Sequence, residues 1–258
     1  MTGQGETAVP TAAMLVIGDE ILSGRTQDAN AHHLAGRMGA LGIPLVEIRV
    51  VRDVHEEIVA AVQDLSPRVS YLFTSGGIGP THDDITADAV AAAFGAAIDV
   101  REDARALLAA FYAAKGDVLN EARLRMARIP DGARLIDNPV SVAPGFVLQN
   151  VHVMAGVPSV FRAWLAGLEP GLAGGPPILS HGFEVMLPEG ELAAPLGKLA
   201  DAHRVVSVGC YPLFRDRPGA RVVLRSANGA ALDRAVTDIR EVFHRLAGDA
   251  FVEEPPAD

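Results

Sequence analysis

The residues best suited to chemistry lie in one short stretch, residues 74–86, with the sequence TSGGIGPTHDDIT. An apolar run at residues 71–73 precedes it and an alanine-rich helical pattern follows it, which predicts a strand end, a glycine turn and a helix start. Gly76, Gly77 and Gly79 can adopt positive φ angles and let a ligand approach the backbone, and the N–H groups of a first helical turn point toward the same place. The stretch therefore predicts a binding site for an anion such as a phosphate.

This loop differs from the two commonest phosphate-binding loops. No Gly-Lys-Ser/Thr follows Gly79, which excludes a Walker-type loop, and His82 stands where a dinucleotide-binding fingerprint has its third glycine. The loop carries two acids instead. Asp83 and Asp84 would repel a bare phosphate, whereas a divalent cation between these acids and the ligand would reverse that effect.

The same acids have a purely structural interpretation. Thr81 and Asp84 have the spacing of a capping box, and acids in a first helical turn suit the helix dipole without any ligand. For Asp84, ligand-related chemistry and helix capping both stay open.

The composition excludes some classes of partner. The chain has a formal charge of −10, with 22 Lys and Arg residues against 32 Asp and Glu residues, and it has no Lys/Arg-rich run. Nucleic-acid binding needs a basic surface, so we do not expect a nucleic-acid partner. We expect a small phosphorylated ligand instead.

The cysteine content and the apolar segments indicate the compartment. The one cysteine, Cys210, excludes an intramolecular disulfide and a Cys-rich zinc site, which fits a reducing compartment. Its apolar neighbours favour a packed thiol over a nucleophile. Residues 1–10 lack the features of a signal peptide, and no apolar segment is long enough to span a membrane. We therefore expect a cytoplasmic protein without a membrane partner.

A second polar loop follows the first predicted strand, residues 12–17. This loop covers residues 18–30 and leads into a helix at about residues 28–41, for which Asp28 is the expected N-cap. Four other polar residues of the loop have no such obvious structural role: Asp19, Glu20, Ser23 and Asn30.

The next elements alternate between strand and helix. The pattern predicts strands at residues 45–51 and 71–74 and helices at residues 54–65 and 85–94. This alternation predicts an α/β fold with a mostly parallel sheet and helices on both faces. Ligands bind such sheets beyond the carboxyl ends of the strands, where both polar loops lie.

Two further helices are predicted at residues 101–115 and 119–128. The second carries Arg123, Arg125 and Arg128, for which a solvated helix face is favoured over contacts with phosphate.

A hairpin is expected next, from strands at residues 146–148 and 151–154. The loop at residues 155–159 then leads into a helix at residues 160–168, which makes it a third loop at a strand end. We expect this loop to close over the ligand that the glycine loop holds.

The order of elements changes after a linker rich in Pro and Gly at residues 170–177. Beyond it the pattern predicts β-α-β-β-α-β, the ferredoxin-like order, without a cluster of catalytic residue types. We therefore expect a disordered segment at residues 1–11, a main domain at residues 12–172 and a small α+β domain at residues 178–253.

Four motifs occur in an order that resembles a known family. They lie at residues 18–30, 74–86, 138–146 and 155–158, and together they resemble the molybdopterin-binding domain. That domain occurs in molybdenum-cofactor biosynthesis proteins, at the front of competence/damage-inducible protein A and at the front of eukaryotic FAD synthases. Several motifs in order are far more specific than any one of them.

The resemblance implies a three-layer α/β/α fold that holds a pterin phosphate, with molybdopterin as the ligand, or a nucleotide. In the competence-protein branch it further implies a pyrophosphatase for ADP-ribose-like dinucleotides that depends on Mg²⁺, Mn²⁺ or Co²⁺, and in the FAD synthases FAD hydrolysis. We expect a short form that lacks the deamidase and adenylyltransferase domains of these relatives. Residues 138–142 depart from the Gly-Thr common at this position, which argues against ligand contacts there.

The loops and the resemblance together give the candidate site. Asp83 and Asp84 are the candidate catalytic residues, and Asp19 and Glu20 join them as candidate metal ligands. The candidate ligand-binding residues are Ser23, Gly24, Asn30, Ser75, Gly76, Gly77, Gly79, Thr81, Gly156 and Pro158.

Three functions stay open on this scaffold, because one fold supports all of them. They are a metal-dependent nucleotide pyrophosphatase, a binding module without catalysis, and an adenylyl-transfer step in cofactor assembly. We also expect a homo-oligomer, a dimer or a trimer, with the C-terminal module as one candidate for the contact between chains.

Overall fold

The computed structural model describes residues 9–140, 142–214, 218–248 and 250–254. Most of the segment expected to be disordered, residues 1–8, lies outside this range, as does Ser141 in the stretch that departs from the family pattern. The chain divides into two units, one formed by Met1–Gly39 and Ile43–Gly175 and the other by Ala40–Gly42 and Pro176–Asp258.

The first unit contains eight strands and seven α-helices among its described residues. The strands are β1 (Ala12–Ile17), β2 (Leu45–Val51), β3 (Tyr71–Ser75), β4 (Ile98–Val100), β5 (Arg128–Pro130), β6 (Arg134–Ile136), β7 (Gly145–Leu148) and β8 (Val151–Val153). The helices are α1 (Asp19–Leu22), α2 (Asn30–Ala40), α3 (His55–Leu65), α4 (Thr86–Phe94), α5 (Glu102–Ala114), α6 (Glu121–Leu124) and α7 (Pro158–Leu168).

Six of these strands form one sheet in the order β2-β1-β3-β8-β7-β6. β2, β1, β3 and β8 run parallel, while β7 and β6 extend the sheet by antiparallel pairing. All six residues of β1 are buried, as expected for a strand that is covered on both faces. The predicted mostly parallel α/β fold is confirmed, and the loops after β1, β3 and β8 leave the sheet at the same edge.

One predicted helix is wrong. Residues 119–128 form only the four-residue α6 and a 3₁₀ turn at Arg125–Ala127, after which β5 pairs with β4. Pro130 explains part of the difference, because the residue before a proline is disfavoured in the helical region and a proline cannot continue a helix. The strands β4, β5 and β6 have three residues each, too few for a sequence period to show.

The second unit has its own sheet and core. Its elements are β9 (Leu179–Val185), α8 (Glu189–Ala202), β10 (Ser207–Phe214), β11 (Pro218–Ser226), α9 (Gly229–Ala247) and β12 (Phe251–Glu254). The strands pair antiparallel in the order β10-β11-β9-β12, which confirms the ferredoxin-like arrangement. Phe183 and Phe243 pack edge to face at the centre of its core, with ring centroids 5.4 Å apart. Within the part of the chain that the structure describes, helices long and apolar enough to cross a membrane are absent.

A buried histidine lies in the middle of the main sheet. His152 on β8 is 5% exposed, and its ring stacks on Phe73 of β3 with a centroid distance of 4.8 Å. Burial lowers the pKa of His152 to about 4. The side chain is therefore neutral at neutral pH in the folded protein.

The free energy of unfolding should depend on pH through His152. The unfolded chain takes up a proton near pH 6.5, whereas the folded protein takes it up only near pH 4. Protonation therefore favours the unfolded state, so stability is fully present above pH 6.5 and falls as the pH drops toward 4, by up to about 3 kcal/mol. Urea unfolding at a series of pH values measures this loss.

The variant His152→Phe keeps a ring at this position and should lose this part of the pH dependence. His82→Phe is the matched control, because the His82 side chain is 97% exposed and its replacement should leave the pH dependence intact. An unchanged pH profile in His152→Phe would contradict the assignment.

Candidate functional site

Three loops meet at the carboxyl ends of β1, β3 and β8, and one side chain joins them. Asn30, the first residue of α2, is 2% exposed. Its Nδ2 donates one hydrogen bond to Ser75 Oγ and another to the Gly156 carbonyl, each at 2.8 Å. The partners are 45 and 126 positions away in the chain, so this one amide connects the loops after all three strands.

The other end of the Asn30 amide meets no partner within the described part of the chain. Its Oδ1 is buried and accepts no hydrogen bond from the described residues. The orientation of the amide is fixed, because the Gly156 carbonyl can only accept and must therefore face the NH₂ group. A buried acceptor without a donor costs about 1–3 kcal/mol. A donor from a bound molecule or an ordered water would remove that cost.

The glycine loop is held tightly on the structure beneath it. Gly76 has a φ of 109°, and a Cβ there would lie 2.2 Å from the Ile17 carbonyl oxygen at the end of β1. Gly77 has a φ of 66°, and a Cβ there would lie 2.2 Å from Thr86 Oγ1. Thr86 fixes both glycines, since its hydroxyl donates to the Gly76 carbonyl and its N–H donates to the Gly77 carbonyl, each at 3.0 Å. The backbone path therefore requires glycine at both positions.

The outer part of this loop offers free donors. The N–H groups of Gly77, Ile78 and Gly79 have no acceptor among the described residues. All three residues are half-buried. Consecutive free N–H groups in a glycine turn form the kind of concavity that binds phosphate.

The two aspartates after the loop lie before the helix, not in its first turn as predicted. α4 begins at Thr86. Asp84 Oδ2 accepts hydrogen bonds from the Thr81 N–H at 2.7 Å and from Thr81 Oγ1 at 2.5 Å, and the Asp84 N–H donates to the Thr81 carbonyl. Thr81 and Asp84 therefore close a turn of their own, while the Asp83 side chain is 60% exposed.

One further acid, outside the set of candidate residues predicted from the sequence, lies at the carboxyl ends of the parallel strands. Asp53 follows β2 by two residues, and its Oδ2 accepts a hydrogen bond from the Asp19 N–H at 2.9 Å. Burial raises the pKa of Asp53, and the negative charges of Glu20, Asp19 and Asp83 raise it further. Its position directly after a parallel strand was the signal that could have identified it.

The carboxylates do not form a metal centre by themselves. In the described ranges there is no group of three or more His, Cys, Asp or Glu side chains placed to hold a metal ion. Asp84 uses one carboxylate oxygen to close its own turn, and Asp19 meets Asp53 through its backbone and not its side chain. The protein groups alone therefore do not fit a resident divalent metal.

The remaining candidate residues lie around this centre. Ser23 and Gly24 are exposed, and Ser23 Oγ donates to the Glu20 carbonyl and accepts from Arg25, both within its own loop. A Cβ on Gly156 would lie 3.4 Å from Gly76 Cα, so the two loop backbones are in close contact. Pro158 is the exposed first residue of α7.

The arginines of the predicted helix are used structurally. Arg123 pairs with Asp117 and Arg128 pairs with Asp88, while Arg125 Nη2 donates to the Asp84 carbonyl at 3.3 Å. The cavity beside Arg125 and Arg128 is also lined by Gly77, Ile78 and Gly79, and its volume of ~20 Å³ holds about one water molecule. Arg125 therefore stabilises the turn that follows the glycine loop.

Family models match residues in both units. Residues 13–173 match the family described as "Probable molybdopterin binding domain". Residues 177–247 match the family described as "FAD synthase, middle domain".

Similar proteins include one of about the same length and one about twice as long. A protein of Aeropyrum pernix is 32% identical over 263 residues, which cover 95% of this chain and 98% of that protein. The "Probable FAD synthase" of Caenorhabditis elegans is 32% identical over 258 residues, which cover 90% of this chain but only 50% of that protein.

Among solved structures, CinA of Thermoplasma acidophilum is 33% identical and superposes with a TM-score of 0.60. It covers 63% of this chain and 98% of its own. The order of the four loop motifs, the sheet that carries them and these matches agree, and the chain therefore belongs to the molybdopterin-binding domain family.

Proposed function

We propose that this protein binds a phosphorylated pterin of the molybdopterin class, or a nucleotide of similar chemistry, where the three loops meet. The main support for this proposal is the environment of Asn30. Its amide nitrogen connects the loops by hydrogen bonds, and its amide oxygen has no donor among the described residues. A pterin carries amide and amino N–H groups, and a nucleotide base carries similar ones. Such a group, directly or through a water, matches the free acceptor.

In this proposal the phosphate group of the ligand binds to the backbone of the glycine loop. Gly77, Ile78 and Gly79 offer consecutive N–H groups without acceptors among the described residues, and these suit phosphate oxygens. Asp83 and Asp53 lie on the acidic side of the same edge, where they favour a ligand that also carries hydrogen-bond donors. The net charge of −10 makes local N–H donors, and not a basic surface, the source of anion affinity.

Replacement of Asn30 tests this proposal. Asn30→Ala removes both bridging hydrogen bonds and the free acceptor, so affinity should fall at least about tenfold, equivalent to about 1.4 kcal/mol. Calorimetric titration with molybdopterin, ADP-ribose and FAD measures the change.

Asn228→Ala is the matched control. Asn228 is the N-cap of α9 in the second unit and accepts a hydrogen bond from the Ala231 N–H at 3.0 Å. Its loss removes a comparable bond far from the proposed site in the chain, so this variant should lose stability and keep its affinity. Unchanged affinity in a folded Asn30→Ala protein would refute the proposed site.

A second candidate function is hydrolysis of the pyrophosphate bond in ADP-ribose-like or FAD-like dinucleotides. The observation that favours it is the raised pKa of Asp53, next to the charges of Glu20, Asp19 and Asp83. A carboxyl group with a raised pKa is a better proton acceptor for an attacking water, and perturbed acids of this kind are common at catalytic sites. Because the acids alone do not form a metal centre, we derive no step through a metal.

Product analysis tests this second function. ADP-ribose and FAD are incubated with Mg²⁺, Mn²⁺, Co²⁺ or a chelator, and release of AMP is measured. If the chain is a hydrolase, Asp53→Asn and Asp83→Asn should each lower the rate at least about a hundredfold, or about 3 kcal/mol in activation free energy, whereas Asp201→Asn on the exposed end of α8 should not.

If AMP is not released under any condition, the hydrolase hypothesis is wrong and the proposed binding function remains. Release of pyrophosphate from ATP in the presence of molybdopterin would instead identify an adenylyl-transfer step.

A further inference from the structure

The strand β2 forms an open edge of the main sheet. Six of its seven residues pair with β1 on one side, with a register irregularity at Val46, and no strand in the described chain pairs with the other side. An edge of this length presents a row of free N–H and C=O groups, which proteins usually cover or shorten.

The exposed face of β2 is apolar. Val46, Ile48 and Val50 alternate along the strand on the same face and are 56%, 50% and 36% exposed. Glu47 and Arg49 lie on the opposite face. A stripe of three branched apolar side chains on an open edge is a strong signal for pairing with another strand.

Two antiparallel copies of β2 can pair with apolar residues opposite apolar residues and with acids opposite bases. We propose that β2 pairs antiparallel with β2 of a second copy of this chain, about a two-fold axis at Ile48. In this register Val46 lies opposite Val50, Ile48 lies opposite its own copy, and Glu47 lies opposite Arg49. Directly opposite side chains in antiparallel strands are 4.5–5.5 Å apart at Cβ, so the apolar side chains of the two copies contact one another and each charge meets the opposite charge.

The neighbouring registers are excluded by charge. A shift of the axis to Glu47 would place Glu47 opposite its own copy, and a shift to Arg49 would do the same for Arg49. Both shifts oppose like charges, which destabilises a strand pair. The sequence therefore selects the register centred on Ile48, in which the two-fold operation closes the interface and doubles the six-stranded sheet.

The local charge balance permits this approach despite the net charge of the chain. Glu47, Arg49, Asp64 and Arg68 form one ion-pair cluster beside β2, with two acids and two bases. Two copies therefore meet through locally neutral surfaces. Long-range repulsion between two acidic chains is screened over about 10 Å at ordinary ionic strength.

A charge exchange tests the register. Glu47→Arg places Arg opposite Arg49, and Arg49→Glu places Glu opposite Glu47, so each variant alone should dimerise at least tenfold more weakly than the wild type in analytical ultracentrifugation. A mixture of the two variants restores opposite charges at both positions and should form a heterodimer. This rescue separates the pairing from any effect of either change on folding, which circular dichroism checks.

Cross-linking tests the position of the axis. In a Cys210→Ser background, Ile48→Cys should form a disulfide-linked dimer on mild oxidation, because the two copies of residue 48 face each other. Val46→Cys is the matched control: its own copy lies four residues away along the strand, roughly 13 Å, beyond the reach of a disulfide.

A wild-type protein that is monomeric at micromolar concentration would overturn the proposal. So would a trimer, because two-fold edge pairing closes at two copies. A dimer that persists in both charge variants and is not cross-linked by Ile48→Cys would also overturn it, since it would use another surface.

Discussion

The hydrogen bonds of one buried amide, Asn30, organise the candidate site. Each polar loop leaves a different strand, and parallel pairing alone brings their starting points to one edge without fixing the loops to each other. Asn30 makes that connection, to Ser75 at the end of β3 and to Gly156 after β8. Its uncompensated oxygen is a destabilising feature that the fold retains, and retained costs of this kind are typical of functional sites. Packing of Gly76 on the Ile17 carbonyl and of Gly77 on Thr86 completes the arrangement.

The acids of this edge have a different role from the one that the spacing of Thr81 and Asp84 indicated. Thr81 and Asp84 close a separate turn ahead of α4 through their side chains and backbones, so Asp84 does not lie in the first helical turn. The acid with a raised pKa is Asp53, because it is partly buried and lies near the negative charges of Glu20, Asp19 and Asp83. In this account the glycine N–H groups attract phosphate, and the acids determine which neutral or cationic groups are accepted beside it.

Much of this architecture could be predicted because its elements are long and periodic. The bounds predicted for β2 agree with the structure, and the ferredoxin-like order of the second unit follows from segments of ordinary length. The strands of three residues, such as β5, are too short to show a period, and the arginines before β5 resembled a solvated helix. The grouping of Asn30 with Gly156 could be expected from parallel topology, but its hydrogen bonds could not, because side-chain orientation depends on packing that no local pattern encodes.

The structure of the protein with bound molybdopterin tests the central claim most directly. We expect the phosphate oxygens within hydrogen-bond distance of the N–H groups of Gly77, Ile78 and Gly79, and a donor from the pterin or a bridging water on Asn30 Oδ1. A ligand bound elsewhere, or an Asn30 Oδ1 that accepts from a protein group while the ligand is bound, would contradict the account.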